Sequence, residues 1–216
     1  MANLKEVRTR IASTQSTQQI TKAMKMVSAT KLRKAQQAIS QMRPYSDKLG
    51  GILANLSDAA KDEPSLQGYF EHREVKNVLL VVLSSDRGLC GGFNSNITKE
   101  IKTIMGAKYA DKNVDIKFLG KKAYEYFKKS DYNMLTNDMG AFLELNVNTA
   151  FRIGESVIQD FFNGKYDEVR VLYNKFKNAA TQIVTCEKIL PIEMERYSTK
   201  AYKESRKYLA DFTFDP

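Results

Sequence analysis

The sequence predicts an α/β fold: a domain on a mostly parallel sheet, preceded by one long amino-terminal coiled-coil helix. Three observations lead there. Positions from Leu4 to about Ser57 repeat at helical spacing, short valine-rich runs alternate with amphipathic segments after residue 64, and excess basic charge is confined to the first part.

In the first segment Leu4, Val7 and Ile11 are spaced by three and four. Further on, Leu32, Ala35, Ile39, Met42, Ser46, Leu49, Leu53 and Leu56 continue that alternation. A period of about 3.5 is the seam of a helix lying along another helix. Such a helix would reach roughly 80 Å, longer than a small domain is wide. Pro44 lacks a backbone donor and is expected to kink or interrupt it, and Gly50-Gly51 to weaken it again. Between the apolar stretches, residues 13–19 (STQSTQQ) turn the seam polar. That stretch buries little and needs a partner to stay helical. The sequence offers no second long heptad segment, so the isolated helix is expected to fray or to pack elsewhere.

After residue 64 the period changes. Val75 to Leu83 (VKNVLLVVL) is a continuous apolar run, the pattern of a strand buried on both faces. Asn94 or Ser95 is placed to cap a helix running to about Ala110. Val114 to Leu119 reads as a strand, Lys121 to Lys129 as a helix and Tyr132 to Thr136 as a weak strand. Val147 to Phe162 is amphipathic, with Ala150, Ile153, Val157, Ile158 and Phe161 on one side. Glu168 to Tyr173 and Ala180 to Leu190 read as strands whose short connection predicts an antiparallel edge.

Composition narrows the function classes. No apolar stretch approaches the roughly 20 residues that cross a bilayer, and the start has no secretory pattern. Cys90 and Cys186 give neither a disulfide framework nor metal-ligand spacing, which fits a reduced, cytoplasmic setting. The net charge is +9, yet residues 1–43 hold nine Lys or Arg against the single acid Glu6. A basic segment attached to a nearly neutral domain calls for an acidic partner: nucleic acid, an anionic membrane surface or an acidic protein face.

The glycine-rich stretch SSDRGLCGGFNSNI, residues 84–97, follows the first strand. A phosphate cradle would stand there, but Gly88, Gly91 and Gly92 do not form G-x-G-x-x-G, and no Walker sequence occurs. A nucleophile turn would need a base for Cys90, and the only histidine, His72, precedes the strand. Cys90 is therefore read as a small residue in a tight corner, Cys186 as a buried filler, His72 as a solvated loop residue and Asp86–Arg87 as a surface ion pair.

These residues also carry a resemblance. SSDRGLCGGFNSNI is similar to a loop of the γ subunit of bacterial-type F-type ATP synthases, and RTRIASTQSTQQITKAMKMVSATKLRKAQ, residues 8–37, resembles that family's amino-terminal helix. RPY at 43–45, YNKF at 173–176 and DFTFDP at 211–216 add to it. The resemblance implies a non-catalytic rotor: a shaft helix at 1–60, a linker at 61–74, a Rossmann-like domain at 75–192, and a return segment at 193–216 leading to a carboxyl-terminal helix that lies outside this sequence. Without that helix the chain is not expected to turn as a working shaft. The partners implied are the α and β subunits of the catalytic ring, the ε subunit and the c-ring, with no cofactor, metal, nucleic acid or membrane insertion. The site implied is the cytoplasmic face of the bacterial plasma membrane. Stator-facing residues carried over are Lys22, Met24, Lys25, Lys31, Arg33 and Lys34 on the helix, with Asp86, Arg87 and Cys90 on the loop. Two alternatives stand beside this: a nucleic-acid-binding basic helix, and an anion- or nucleotide-binding enzyme using residues 86–92.

Overall fold

The computed structural model describes residues 3–59, 64–143, 146–178 and 180–193. The sequence expectations for the return segment beyond residue 193 lie outside them. The chain divides into two units, an amino-terminal helix and an α/β body.

Helix α1 spans Leu4–Ala59 without a break. The expected interruption at Pro44 is absent: the proline lies inside the continuous helix. Within the polar stretch Thr14 Oγ1 donates to the Arg10 carbonyl and Thr17 Oγ1 to Ser13, and Thr21 Oγ1 just beyond it donates to Thr17. Each hydroxyl is satisfied one turn back, which pairs the side chains without adding strength to the helix. Its large apolar side chains stay open: Leu4, Ile20, Met24, Val27 and Met42 are all at least 57% exposed.

The body carries a five-stranded sheet in the order β3-β2-β1-β4-β5. Its strands are β1 (Asn77–Val82), β2 (Asn113–Phe118), β3 (Asn133–Leu135), β4 (Glu168–Phe176) and β5 (Gln182–Leu190). The first four run parallel, and β5 returns antiparallel along β4 as the hairpin spacing predicts. A short helix α2 (Pro64–Gln67) precedes β1, while α3 (Phe93–Thr103), α4 (Lys121–Phe127) and α5 (Val147–Phe162) cover the faces. The segment after α3 is a π-helical turn, Ile104–Lys108, so the helix expected to reach Ala110 loosens early.

Strand β1 explains the layering. Val78, Leu80 and Val82 face a core closed by Ile97 and Ile101 of α3 and by Ala123 and Phe127 of α4. Leu79 and Val81 face the other core, closed by Val157 and Phe161 of α5 and by Tyr166. Burying each of these leucines is worth about 1.5–3 kcal/mol. The central position of β1 fixes where the chain leaves the sheet, and the glycine-rich loop begins there.

Candidate functional site

Leu83 still donates to the Leu172 carbonyl of β4, and the chain turns away at Ser84. Ser84 is buried and its Oγ accepts the Ala123 amide at 3.2 Å. A Cβ at Gly120 would lie 2.0 Å from the Ser84 carbonyl oxygen, so only glycine permits this approach. Lys122 N donates to the Ser85 carbonyl, and Asp86 Oδ1 accepts the Lys121 amide at 3.1 Å. The Asp86–Arg87 ion pair expected from sequence is absent among the described residues. The carboxylate turns instead to the free amide at the start of α4, where helix-end donors and dipole favour it.

Asn94 or Ser95 was expected to cap α3, but Gly92 occupies the N-cap with no side-chain hydrogen bond. Asn94 faces back into the loop. Its Oδ1 accepts the Ser85 amide at 3.1 Å, and its Nδ2 donates to Ser85 Oγ at 2.8 Å and to Cys90 Sγ at 3.1 Å. Ser85 Oγ donates in turn to the Arg87 carbonyl at 2.5 Å. Asn174 of β4 ties down the far end by donating to the Phe93 carbonyl at 3.0 Å.

The outer side of the loop is the reverse. Residues 87–92 are exposed, Cys90 among them, so its thiol is not packed in a corner. Leu89 is fully exposed with φ 61°, and Gly91 has φ 59°. A left-handed leucine costs on the order of 1–2 kcal/mol and here recovers nothing by burial.

Neither enzymatic arrangement is built here. His72 is exposed and precedes β1, whereas Cys90 follows it, and a six-residue strand separates the two ends by roughly 20 Å. The loop does sit beside the point where the strand order reverses between β1 and β4, the usual place for a nucleotide crevice. That crevice lacks its second wall, because β4 returns at once as β5 rather than crossing over through a helix.

The helix candidates Lys22, Met24, Lys25, Lys31, Arg33 and Lys34 are all exposed on α1. At about 100° per residue they point all round the helix, not to one side. They belong to one unit and the loop to the other, so the carried-over residues form two separate sets.

Sequence reasoning missed two buried charge clusters. Lys117 Nζ on β2 lies 2.7 Å from Asp138 Oδ2, with both side chains at most 4% exposed, and Arg152 of α5 reaches Asp138 Oδ1 at 2.8 Å. Burial by itself would raise the Asp138 carboxyl, but the hydrogen bonds from Lys117 and Arg152 outweigh it and hold the group below its usual range. On the opposite face Glu168 accepts from Tyr109 and Arg170. Burial would again raise this carboxyl, and the two donors hold it below its ordinary value. No sequence signal marked the first cluster, because residues 114–119 (VDIKFL) alternate apolar and polar and so read Lys117 as facing solvent with Asp115. Cys186 is half-buried rather than a fully enclosed filler, beside this second cluster.

The chain matches the protein-family model described as ATP synthase over residues 3–216. It is 50% identical to the ATP synthase gamma chain of Christiangramia forsetii over 216 residues, which is all of this chain and 72% of that protein. It is 45% identical to the ATP synthase gamma chain of Flavobacterium johnsoniae, with the same shares covered. Among solved structures it resembles a chain of the Tetrahymena thermophila mitochondrial ATP synthase central stalk and c-ring. That match has a TM-score of 0.57 at 25% identity and covers 88% of this chain and 84% of that one.

Proposed function

Because the chain belongs to the ATP synthase γ-chain family, we propose that α1 and the loop at 86–92 are the surfaces through which it works as the central-stalk rotor. The protein performs no chemistry. Turned by proton flow through the c-ring, it drives the β subunits of the surrounding α/β ring through their catalytic states, and ATP hydrolysis turns it in reverse. The ε subunit and the c-ring are its other partners, and it is a peripheral component of the complex. We place it on the cytoplasmic face of a bacterial plasma membrane, and we divide it into shaft (1–60), linker (61–74), Rossmann-like body (75–192) and return segment (193–216).

The observation that carries the contact assignment is the exposed cationic girdle of α1. Lys22, Lys25, Lys31, Arg33 and Lys34 face solvent on all sides of one helix, ready for acidic groups on an encircling stator. Exposed ion pairs are worth about 0–1 kcal/mol each, weak enough to be released at every step. On the loop, Arg87 and Leu89 face outward, while Asp86 and Cys90 shape the backbone that presents them. Family membership favours the rotor over a nucleic-acid-binding helix, and the nucleotide reading is not supported by the loop, whose polar groups bond to each other and to α4.

The test is reconstitution of the chain, continued past Pro216 by the carboxyl-terminal helix that the resemblance implies, with α and β subunits, followed by ATPase turnover across a salt series. Each single substitution to Gln at Lys22, Lys25, Lys31, Arg33 or Lys34 is expected to change turnover less than about five-fold, and the variant carrying all of them to weaken assembly well beyond that. Wild-type assembly and turnover in that combined variant would refute the assignment.

A further inference from the structure

The loop is fastened on one side and bare on the other, which assigns separate jobs to its residues. We propose that Asn94 is a positioning residue: it locks residues 85–90 into a preformed knob so that the Leu89 side chain meets the catalytic ring already in its bound conformation. This rests on the reading of the loop as a ring-contact surface.

The side-chain chemistry of Asn94 is fully used inside the loop. One acceptor takes the Ser85 amide, and two donors reach Ser85 Oγ and Cys90 Sγ. Through Ser85 Oγ the lock extends to the Arg87 carbonyl, and Phe93 N closes the turn onto the Cys90 carbonyl at 3.3 Å. Each bond joins the root of the loop to its ascending or descending limb, and none involves the Leu89 side chain. That side chain has no burial of its own, yet its backbone is kept in a left-handed conformation that L residues avoid. A free loop would relax it. Holding it costs the isolated chain stability and removes an ordering penalty at the moment of contact, which is how preorganisation raises affinity. An apolar knob with Arg87 at its shoulder fits an apolar socket with an acidic rim on the ring.

The separation of jobs is testable in the same extended chain reconstituted with α and β subunits. Leu89→Ala removes the knob and keeps the lock, and Asn94→Ala removes the lock and keeps the knob. Each is expected to weaken assembly about five-fold or more, roughly the effect of one ordered side chain. The double variant is expected to be no weaker than Leu89→Ala alone, because a lock without a knob has nothing to position. Hydrogen exchange supplies the second readout. Asn94→Ala should speed exchange of the Ser85 amide, while Asn94→Asp, which keeps that acceptor, should restore protection and most of the affinity. Wild-type assembly by Leu89→Ala would sink the ring-contact reading itself. An effect of Leu89→Ala together with no effect of Asn94→Ala, full additivity in the double variant, or no recovery in Asn94→Asp would overturn the positioning role and leave that reading standing.

Discussion

Asp138→Asn is the most demanding test of the body's energetics. The carboxylate is buried and is the ion partner of Lys117, whose ammonium is itself only 4% exposed at 2.7 Å. The amide keeps the shape and one acceptor but leaves a positive charge inside the fold without its counter-charge. Breaking a buried pair from one side costs about 3–5 kcal/mol. Arg152 is 62% exposed and adds little, so the low end applies, about 3 kcal/mol. For a protein of this size that corresponds to a fall in Tm of about 10 °C. The pH dependence has a fixed sign. The folded-state carboxyl lies below its ordinary value of 3.8, so its contribution is complete above that value and is lost as pH falls through the lowered one. Thermal melts of wild type and variant should therefore differ most near neutrality and converge in acid. Lys117→Met combined with Asp138→Leu removes both charges and should return to within about 1 kcal/mol of wild type. A cost below about 1 kcal/mol for Asp138→Asn, or a gap that widens in acid, would refute the reasoning.

Three further outcomes follow from the same structure. Gly120→Ala places a methyl against the Ser84 carbonyl and should cost about 3 kcal/mol or more by denaturant titration, whereas Gly88→Ala, which meets open space, should stay within about 0.5 kcal/mol. Tyr109 and Tyr166 are buried against Glu168 and Asp115, which pushes both phenols above their ordinary value of 10.0. Stability should thus be unaffected below that value and fall as pH rises beyond it, and ultraviolet titration should show these phenols ionising only with unfolding. Tyr109→Phe strips Glu168 of one donor but leaves Arg170, so a loss of about 1–2 kcal/mol is expected in the same melts.

Much of the fold was legible because its signals are local. The valine run of β1 and the short β4–β5 connection each specify their element without help from distant residues. Leu79 and Leu80, facing opposite cores, bear out a strand buried on both sides. What failed was decided by competition between neighbours. Asn94 stands where an N-cap is expected, but Ser85 and Cys90 offer three bonds where the cap offers one. Asp86 likewise prefers a helix-end amide to the adjacent guanidinium. Pro44 and the polar stretch looked like breaks in α1, yet removing one donor and turning hydroxyls back onto carbonyls leaves most of the ladder intact. The glycines marked the loop as a turn, while its division into a fastened side and a bare side depends on bonds between Ser85, Asp86, Asn94 and α4 that no local pattern specifies.

That division bears on how a rotor keeps its phase. Cations spread round a helix present an encircling acidic ring with nearly the same attraction at every angle, so they hold the shaft without favouring a stopping point. A single rigid knob does the opposite, since its contact exists at one orientation and is lost when the rotor turns. On the proposed contact assignment, affinity that is insensitive to angle and affinity that depends on it belong to different residues, the α1 lysines and Leu89. On this reading charge-removing changes in α1 should lower assembly while leaving the positions of rotational pauses alone. Leu89→Ala should blur those pauses in addition to weakening assembly. Single-molecule rotation of the reconstituted complex reads both. Pauses displaced by the α1 substitutions and untouched by Leu89→Ala would reverse the assignment.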